Sequence, residues 1–187
     1  GWFDMVQVAV LTASDKHAGD GFGRAVAIDG DTIVVGAPTA DPNGVSNAGA
    51  AYYFKKPSTG WAGNLTETGR LFASDNEVED DFGFSVAIDG GVIAVGALDV
   101  DVGSAAWAGV VYLYLDNGLG WSGVVEDARL YASDYASGDW FGYCVDIDGD
   151  VIAVGSKYSD PGGLYAAGSA YVFVKPAGGW ATMTESA

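Results

Sequence analysis

Basic residues, cysteine and histidine are scarce in this chain, and each scarcity removes a class of function. Lys and Arg together number eight among 187 residues, against 25 Asp and Glu, for a formal net charge of −17. Nucleic-acid binding and docking to an anionic membrane both rest on basic residues, so neither partner is expected. The acidity suits solubility outside a cell or the attraction of cations, and a solvated acidic surface is the simpler reading. The one cysteine, Cys144, allows no intrachain disulfide. It falls at the same point of an internal repeat as Ala25 and Ser85 and is read as a buried small residue, not a nucleophile. The one histidine, His17, has Glu77 and Ala136 as counterparts and is read as a surface residue. One His and one Cys cannot build a zinc cluster, and no Gly-x-Ser-x-Gly elbow is present. Gly19-Asp20-Gly21-Phe22-Gly23 has neither the glycine spacing nor the following helix of a dinucleotide loop. Paired carboxylates of the kind glycoside hydrolysis uses are plentiful, but they recur once per repeat, as turn residues do. No catalytic residue is assigned, and the chain is not expected to be an enzyme. No apolar run approaches the ~20 residues of a membrane span, so no membrane insertion is expected. The chain opens abruptly at Gly1-Trp2, which is read as following a leader already removed.

What is abundant is glycine, at 29 residues, and aspartate, which supplies twenty of the 25 acids. Asp favours turns and caps over helix interiors, so the bias points to loops between strands. Phe22–Pro38 reads FGRAVAIDGDTIVVGAP; Phe82–Leu98 reads FGFSVAIDGGVIAVGAL and Phe141–Lys157 reads FGYCVDIDGDVIAVGSK. Their spacings of 60 and 59 residues mark a repeat architecture. Within each copy, two short Val/Ile-rich runs flank Asp-Gly, the pattern of a β-hairpin with a tight type I′ turn. A Gly-Trp pair at Trp2, Trp61, Trp121 and Trp180 opens a further strand that closes on Leu-x-Ala-Ser-Asp in each complete copy, with Leu11, Leu71 and Leu130 facing inward. The segments Gly49–Lys55, Gly109–Leu115 and Gly168–Val174 supply another strand. Surface loops of variable length precede them, at Ala40–Ala48, Asp99–Ala108 and Ser159–Ala167. Each repeat therefore holds four strands and no helix. The Val/Ile/Ala strands show little polar alternation, which suits sheets buried on both faces between stacked neighbours. The fold expected is all-β, a β-propeller-like array of three four-stranded antiparallel blades. One repeat domain spans 1–187. It divides into a strand of a preceding or shared blade (1–14), repeats at 15–74 and 75–133, and a third at 134–187 that includes the start of a further strand.

Each polar connection before the hairpin begins with one Asp and carries another five residues later: Asp15 and Asp20, Asp75 and Asp80, Asp134 and Asp139. These pairs are the candidate metal ligands, with calcium the cation considered and Ser14, Ser74 and Ser133 nearby. The alternative is that the carboxylates accept backbone N–H groups and fix the turn. No other cofactor is expected. Asn64-Leu65-Thr66 is a glycosylation sequon, and Thr66–Thr68 and Thr182–Thr184 offer hydroxyls for O-linked sugar.

The Phe-Gly and Gly-Ala-Pro pairs resemble the FG-GAP repeat, the propeller blade of integrin α-subunit heads and of many bacterial surface and secreted proteins. Repeat one carries Phe22-Gly23 and Gly36-Ala37-Pro38; repeat two has Leu98 in place of Pro; repeat three keeps Phe141-Gly142 and Gly155, then reads Ser156-Lys157. The resemblance implies propeller blades, an extracellular or cell-surface location, and adhesion or ligand binding. Integrin-type blades often carry an Asp-x-Asp-x-Asp-Gly calcium loop between these motifs. Here the position holds two or three residues, too few to wrap a cation that takes six to eight oxygens. Asp146-Ile147-Asp148-Gly149-Asp150 mimics such a loop, but Asp146 aligns with Ala27 and Ala87 inside a strand.

Propellers close with four to eight blades, and three repeats leave exposed sheet faces and unpaired edges that invite another chain, so the array is expected to be completed by another chain. Three resolutions stand open: the chain is a fragment of a longer propeller, two copies close a six-blade ring, or one copy's terminal strand completes the next copy's blade head to tail and makes a filament. The strand copies at the two ends, with Trp2, Val6, Val8, Trp180 and Met183, are the candidate assembly residues. The function expected is that of a non-catalytic extracellular structural protein that self-assembles, as a subunit of a surface fibre or adhesive layer. The alternative is an adhesion module that recognises a protein or glycan, with or without a cation, through loops at Asp41, Asp99–Asp101 and Asp160.

Overall fold

The computed structural model describes residues 6–116, 118, 120, 121 and 125–185. Among these residues the strands, in chain order, are β1 (Ala9–Thr12), β2 (Ala25–Asp29), β3 (Thr32–Ala37), β4 (Ala50–Lys55), β5 (Gly63–Thr66), β6 (Gly69–Leu71) and β7 (Ser85–Asp89). They continue as β8 (Val92–Ala97), β9 (Val110–Leu115), β10 (Ala128–Tyr131), β11 (Phe141–Asp148), β12 (Val151–Ser156), β13 (Ser169–Val174) and β14 (Met183–Thr184). No α-helix is present among the described residues; two single 3₁₀ turns, Pro42–Gly44 and Pro161–Gly163, lie in the variable loops.

The Val/Ile runs on either side of Asp-Gly pair antiparallel in all three repeats. The Asp ends the first strand instead of entering the turn: Asp29 lies opposite Thr32, Asp89 opposite Val92 and Asp148 opposite Val151. The turn residues are thus Gly30-Asp31, Gly90-Gly91 and Gly149-Asp150. Gly90 and Gly91 both have positive φ, the type I′ pattern. In repeats one and three only the first turn residue does, which is the type II′ pattern and corrects the expectation of type I′ throughout.

The first blade has the order β2-β3-β4-β6, and the second β7-β8-β9-β10. Both are four-stranded antiparallel sheets, as expected. The third blade has three strands among the described residues, β11-β12-β13. The Gly-Trp segment, expected as one strand, is two. After Trp61 the chain forms β5, which pairs in parallel with β1, and then turns to become β6 beside β4. After Trp180, β14 pairs in parallel with β10 of the second blade in the same way. The segment therefore leaves its own blade, runs along the fourth strand of the blade before, and returns.

The second sheet packs through both faces. Val34, Ala51, Tyr53 and Leu71 of the first blade form a core with Val86, Ile88, Ile93, Val95 and Tyr112 of the second. The opposite face of the second blade, with Ala94, Val111, Leu113 and Leu130, packs against Ile147, Ile152, Tyr171 and Phe173 of the third. Trp121 enters the first junction edge-on to Tyr53, with ring centroids 5.4 Å apart. The Phe of each Phe-Gly pair meets two aromatic rings of its own third strand: Phe82 lies 5.5 Å from Tyr112 and 6.2 Å from Tyr114, edge to face. Phe22 and Phe141 make the same contacts with Tyr52 and Phe54, and with Tyr171 and Phe173.

The glycines explain how closely the blades approach. A Cβ on Gly36 would lie 1.9 Å from the carbonyl oxygen of Gly83 in the next blade, and one on Gly96 would lie 2.3 Å from that of Gly142. Backbone meets backbone here, with no flexible atom to yield. Gly36→Ala is expected to destabilise the chain by about 1–3 kcal/mol, the usual range for overpacking. Gly178→Ala, with nothing within 4 Å of the added methyl, is the control. Thermal melts should show Tm lowered in the first variant and unchanged in the second; equal melting would remove the glycine contact as the reason for the motif.

Candidate functional site

The six aspartates singled out in the sequence occupy two recurring roles. Asp15, Asp75 and Asp134 accept a hydrogen bond from the third-strand tyrosine of their blade: Tyr52 Oη at 3.1 Å, Tyr112 Oη at 3.1 Å and Tyr171 Oη at 2.8 Å. Arg70 pairs with Asp15, and Arg129 with Asp75. Asp20, Asp80 and Asp139 are buried and each accepts the backbone N–H three residues earlier, from His17 at 2.5 Å, Glu77 at 2.6 Å and Ala136 at 2.7 Å. A third set, Asp41, Asp101 and Asp160, closes the variable loops by accepting the N–H six residues on, at Asn47, Trp107 and Ala166. Asp15, Asp20 and Asp41 line one recess of about 120 Å³ with Arg70 and Tyr52. Among the described residues no group of three or more His, Cys, Asp or Glu is arranged to hold a metal ion. Asp146 and Asp148 lie within β11, so the calcium-loop mimic is a strand.

Burial sets the electrostatics of these carboxylates. Asp80 is pushed up to about 6, first by loss of water and then by Glu77, Asp75 and Asp101, against the Glu77 N–H. Asp81 is pushed up to about 6 by burial and by Asp99, Glu79 and Asp80. Asp139 and Asp99 are raised for the same leading reason. Burial also raises the tyrosines that face the acids, Tyr171 to about 12.

A second recurring contact was not singled out in the sequence. Ser14 presents N–H and Oγ to the two carboxylate oxygens of Glu67, at 2.9 and 2.6 Å. Ser74 does the same to Glu126, at 3.1 and 2.8 Å, and Ser133 to Glu185. Each clamp ties the end of one blade's fourth strand to the Gly-Trp segment of the next. Arg129 adds hydrogen bonds to Glu126 and Ser74. Burial raises Glu126, but Arg129 and Ser74 outweigh it and hold the carboxyl below its usual range. The available signal was compositional: three of only five Glu stand at this place, five or six residues after the Trp.

The candidate assembly residues divide between ordered junctions and an exposed end. Trp180 is buried in the second junction and Met183 pairs with Leu130, so both staple the chain to itself. Val6 and Val8 are exposed ahead of β1, and Trp2 lies outside the described residues. Asn64 is exposed on β5. Cys144, expected to be buried, is exposed because its side of the third blade faces no further blade; its counterpart Ser85 is buried in the second junction, bonded to the Gly142 carbonyl.

These repeated hairpins, junction glycines and clamps agree with a family model for the FG-GAP repeat, which matches residues 5–54, 65–114 and 124–173. The chain belongs to the FG-GAP repeat family. Each matched unit runs from one of β1, β6 and β10 through the first three strands of the blade that follows, and the chain is an FG-GAP β-propeller-like module. A search of curated proteins finds no match. Among solved structures, the chain is similar to the computationally designed Ika4 protein at 10% identity, over 91% of this chain and 98% of that one, with a TM-score of 0.35.

The raised carboxyls fix the sign of the pH dependence. A carboxyl whose folded pKa lies above its unfolded value takes up a proton on folding, so stability rises as pH falls through the folded value. For Asp80 and Asp81 the window runs from about 6 down to the ordinary value of 3.8. Tm is therefore expected to be higher at pH 5 than at pH 7.5. In Asp80→Asn, which keeps an oxygen for the Glu77 N–H, the rise should be smaller. A Tm that falls toward pH 5, or an unaltered slope in the variant, would contradict this account.

Proposed function

We propose that this FG-GAP module is a non-catalytic, extracellular structural protein that works by self-association through the end faces of its blade array. One observation carries the reading. Val86 and Ile88 on the second blade are each 8% exposed, whereas their counterparts on the first blade, Val26 and Ile28, are 62% and 63% exposed. Residues of one type at one repeat position are buried wherever a neighbouring blade exists. At the far end Val172 is 51% exposed, whereas its counterpart Leu113 is fully buried. Paired apolar faces of this kind favour association over free exposure in water. The surface fibre expected from the sequence is one form such association takes. The non-catalytic part of the reading is supported by the partners of the paired acids, which are tyrosines, arginines and turn amides, and by the exposure of His17. No described helix is long and apolar enough to cross a membrane.

A second reading, an adhesion module for a protein or glycan, has its own support. The recess between the second and third blades is lined by Trp107, Trp140, Tyr158 and Tyr165 beside Asp139 and Asp160. This aromatic set is confined to that junction: the counterparts of Trp140 are Gly21 and Asp81, and those of Trp107 are Asn47 and Ala166. Aromatic faces with a few carboxylates are the equipment of a polar-ligand site.

The two readings separate without knowledge of a ligand. Negative-stain micrographs of the purified chain, with no additive, are expected to show assembled particles, and Val26→Asp/Ile28→Asp should leave small separate ones. Both side chains are exposed, so the double variant should keep the circular dichroism of the parent. A parent chain that stays as small particles would overturn self-association and favour the adhesion reading.

A further inference from the structure

We propose that the recess between the second and third blades is a cage for a small quaternary ammonium compound of the choline type. This inference rests on the second reading above, of the same recess as a polar-ligand site, and names the ligand's chemistry. It does not depend on self-association.

The rings of the recess form a corner. Trp140 and Tyr158 meet edge to face, with ring centroids 4.8 Å apart and planes at 61°. Two walls at that angle surround a compact tetrahedral group better than one flat face does. Trp107 reaches the recess from the second blade; it is 57% exposed, and its carbonyl accepts the Trp140 N–H at 3.3 Å. The two indoles thus stand on facing backbone positions across the junction. Tyr143 lies parallel to Trp140, with centroids 6.5 Å apart, and helps to hold its plane. The recess measures about 460 Å³, within the size of small-molecule sites.

The fold does not call for these rings. Both tryptophans have a φ of 56°, in the left-handed region that bulky residues avoid. The other repeats keep a positive φ at these positions but place Gly21 and Asp81, or Asn47 and Ala166, there. Gly, Asn and Asp are the residues that region favours. Tryptophan at both positions costs backbone energy that burial does not return, since Trp107 stays exposed. Tyr158 likewise stands where the first two repeats have Thr39 and Asp99. An aromatic corner assembled at one junction against local preference points to a ligand and not to folding.

The opening is a property of the junction itself. At the first junction the same positions, Asn47, Asp81 and Asp99, stay partly exposed although the third blade follows. Stacking a further blade therefore does not close a recess of this kind.

Charge selects the ligand. Asp139 and Asp160 border the rings, and no Lys or Arg lines the recess among the described residues. The net charge of −17 draws cations and repels anions. Aromatic faces attract a cation through the ring quadrupole, most strongly when the cation is easily desolvated. A quaternary ammonium has no N–H to satisfy and sheds water more readily than a lysine ammonium. One of these rings already carries a cation: Lys157 places Nζ 4.8 Å from the Tyr158 centroid and 4.7 Å from that of Tyr143. A sugar ring stacks best on a flat open face, which a corner denies. The two carboxylates turn away a ligand with an anionic group of its own, so choline is favoured over phosphocholine.

The test is calorimetric titration of the whole chain with choline chloride at fixed ionic strength. Saturable binding at one site is expected, with the neutral isostere 3,3-dimethylbutanol at least ~10-fold weaker. Trp140→Gly and Trp107→Asn use residues that other repeats carry at the same positive φ, so both variants should keep the circular dichroism of the parent. Each should weaken choline binding by about 3- to 30-fold. Lys157→Gln, which removes a neighbouring positive charge, should tighten it by about 2- to 5-fold. No choline binding, equal binding of the isostere, or unchanged affinity in both tryptophan variants would overturn the cage. Cellobiose separates this inference from the reading beneath it. Saturable heat with cellobiose and none with choline would overturn the ammonium cage and leave the recess a ligand site, whereas no heat with either would overturn the cage and remove the recess as support for adhesion.

Discussion

The close approach of one blade's backbone to the next is the constraint on which this structure depends. At each internal junction the glycine of one hairpin lies against the glycine that follows Phe in the next, with room for no side chain on either. That approach brings Phe82 and Phe141 onto Gly49 and Gly109, and lets their N–H groups bond the carbonyls of Ala48 and Ala108 at 3.0 and 2.9 Å. Sheets held this near exclude water from both faces. The third-strand tyrosines and Phe rings then fill the space between them without a polar layer. The Phe-Gly and Gly-Ala pairs are thus two halves of one contact, made between neighbouring blades.

Once the blades are so close, the remaining devices act as staples across the joint. The Gly-Trp segment crosses to the preceding blade, buries its Trp, and pairs in parallel with that blade's fourth strand. Ser and Glu lock the crossing, and an Asp at each hairpin turn reaches the next turn, Asp29 to the Gly90 N–H at 3.1 Å and Asp89 to that of Gly149 at 2.7 Å. Every repeat thus contributes half of the joint before it and half of the joint after it. A residue's environment follows from its place in the array as much as from its type: Val26 and Val86 share a repeat position and differ in burial.

This distinction marks what could be read from the sequence. The hairpins were legible because β-branched runs around Asp-Gly are a local signal, and the blades because the signal recurs at a constant period. The burial of Cys144 was not, since alignment with Ala25 and Ser85 reports a position in the repeat and not whether a further blade covers it. The splitting of the Gly-Trp segment was not legible either. Parallel pairing of β1 with β5 joins residues 54 apart, such as Ala9 and Gly63, and leaves no periodic mark on either strand. The paired aspartates were visible as candidates, and their turn-fixing alternative matches the bonds they make. The Ser–Glu clamp left only the concentration of rare Glu at one place.

The acidity then takes on a structural sense. The recurring aspartates accept turn amides, tyrosine hydroxyls and arginine, so their carboxylates organise the connections on which the hairpins sit. Those bonds leave the chain's formal net charge at −17. Val26 and Ile28 are exposed on one end face of the array, and Val172 and Val174 on the other. Under the proposed self-association, net negative charge and apolar end faces together would favour end-to-end contact over random aggregation.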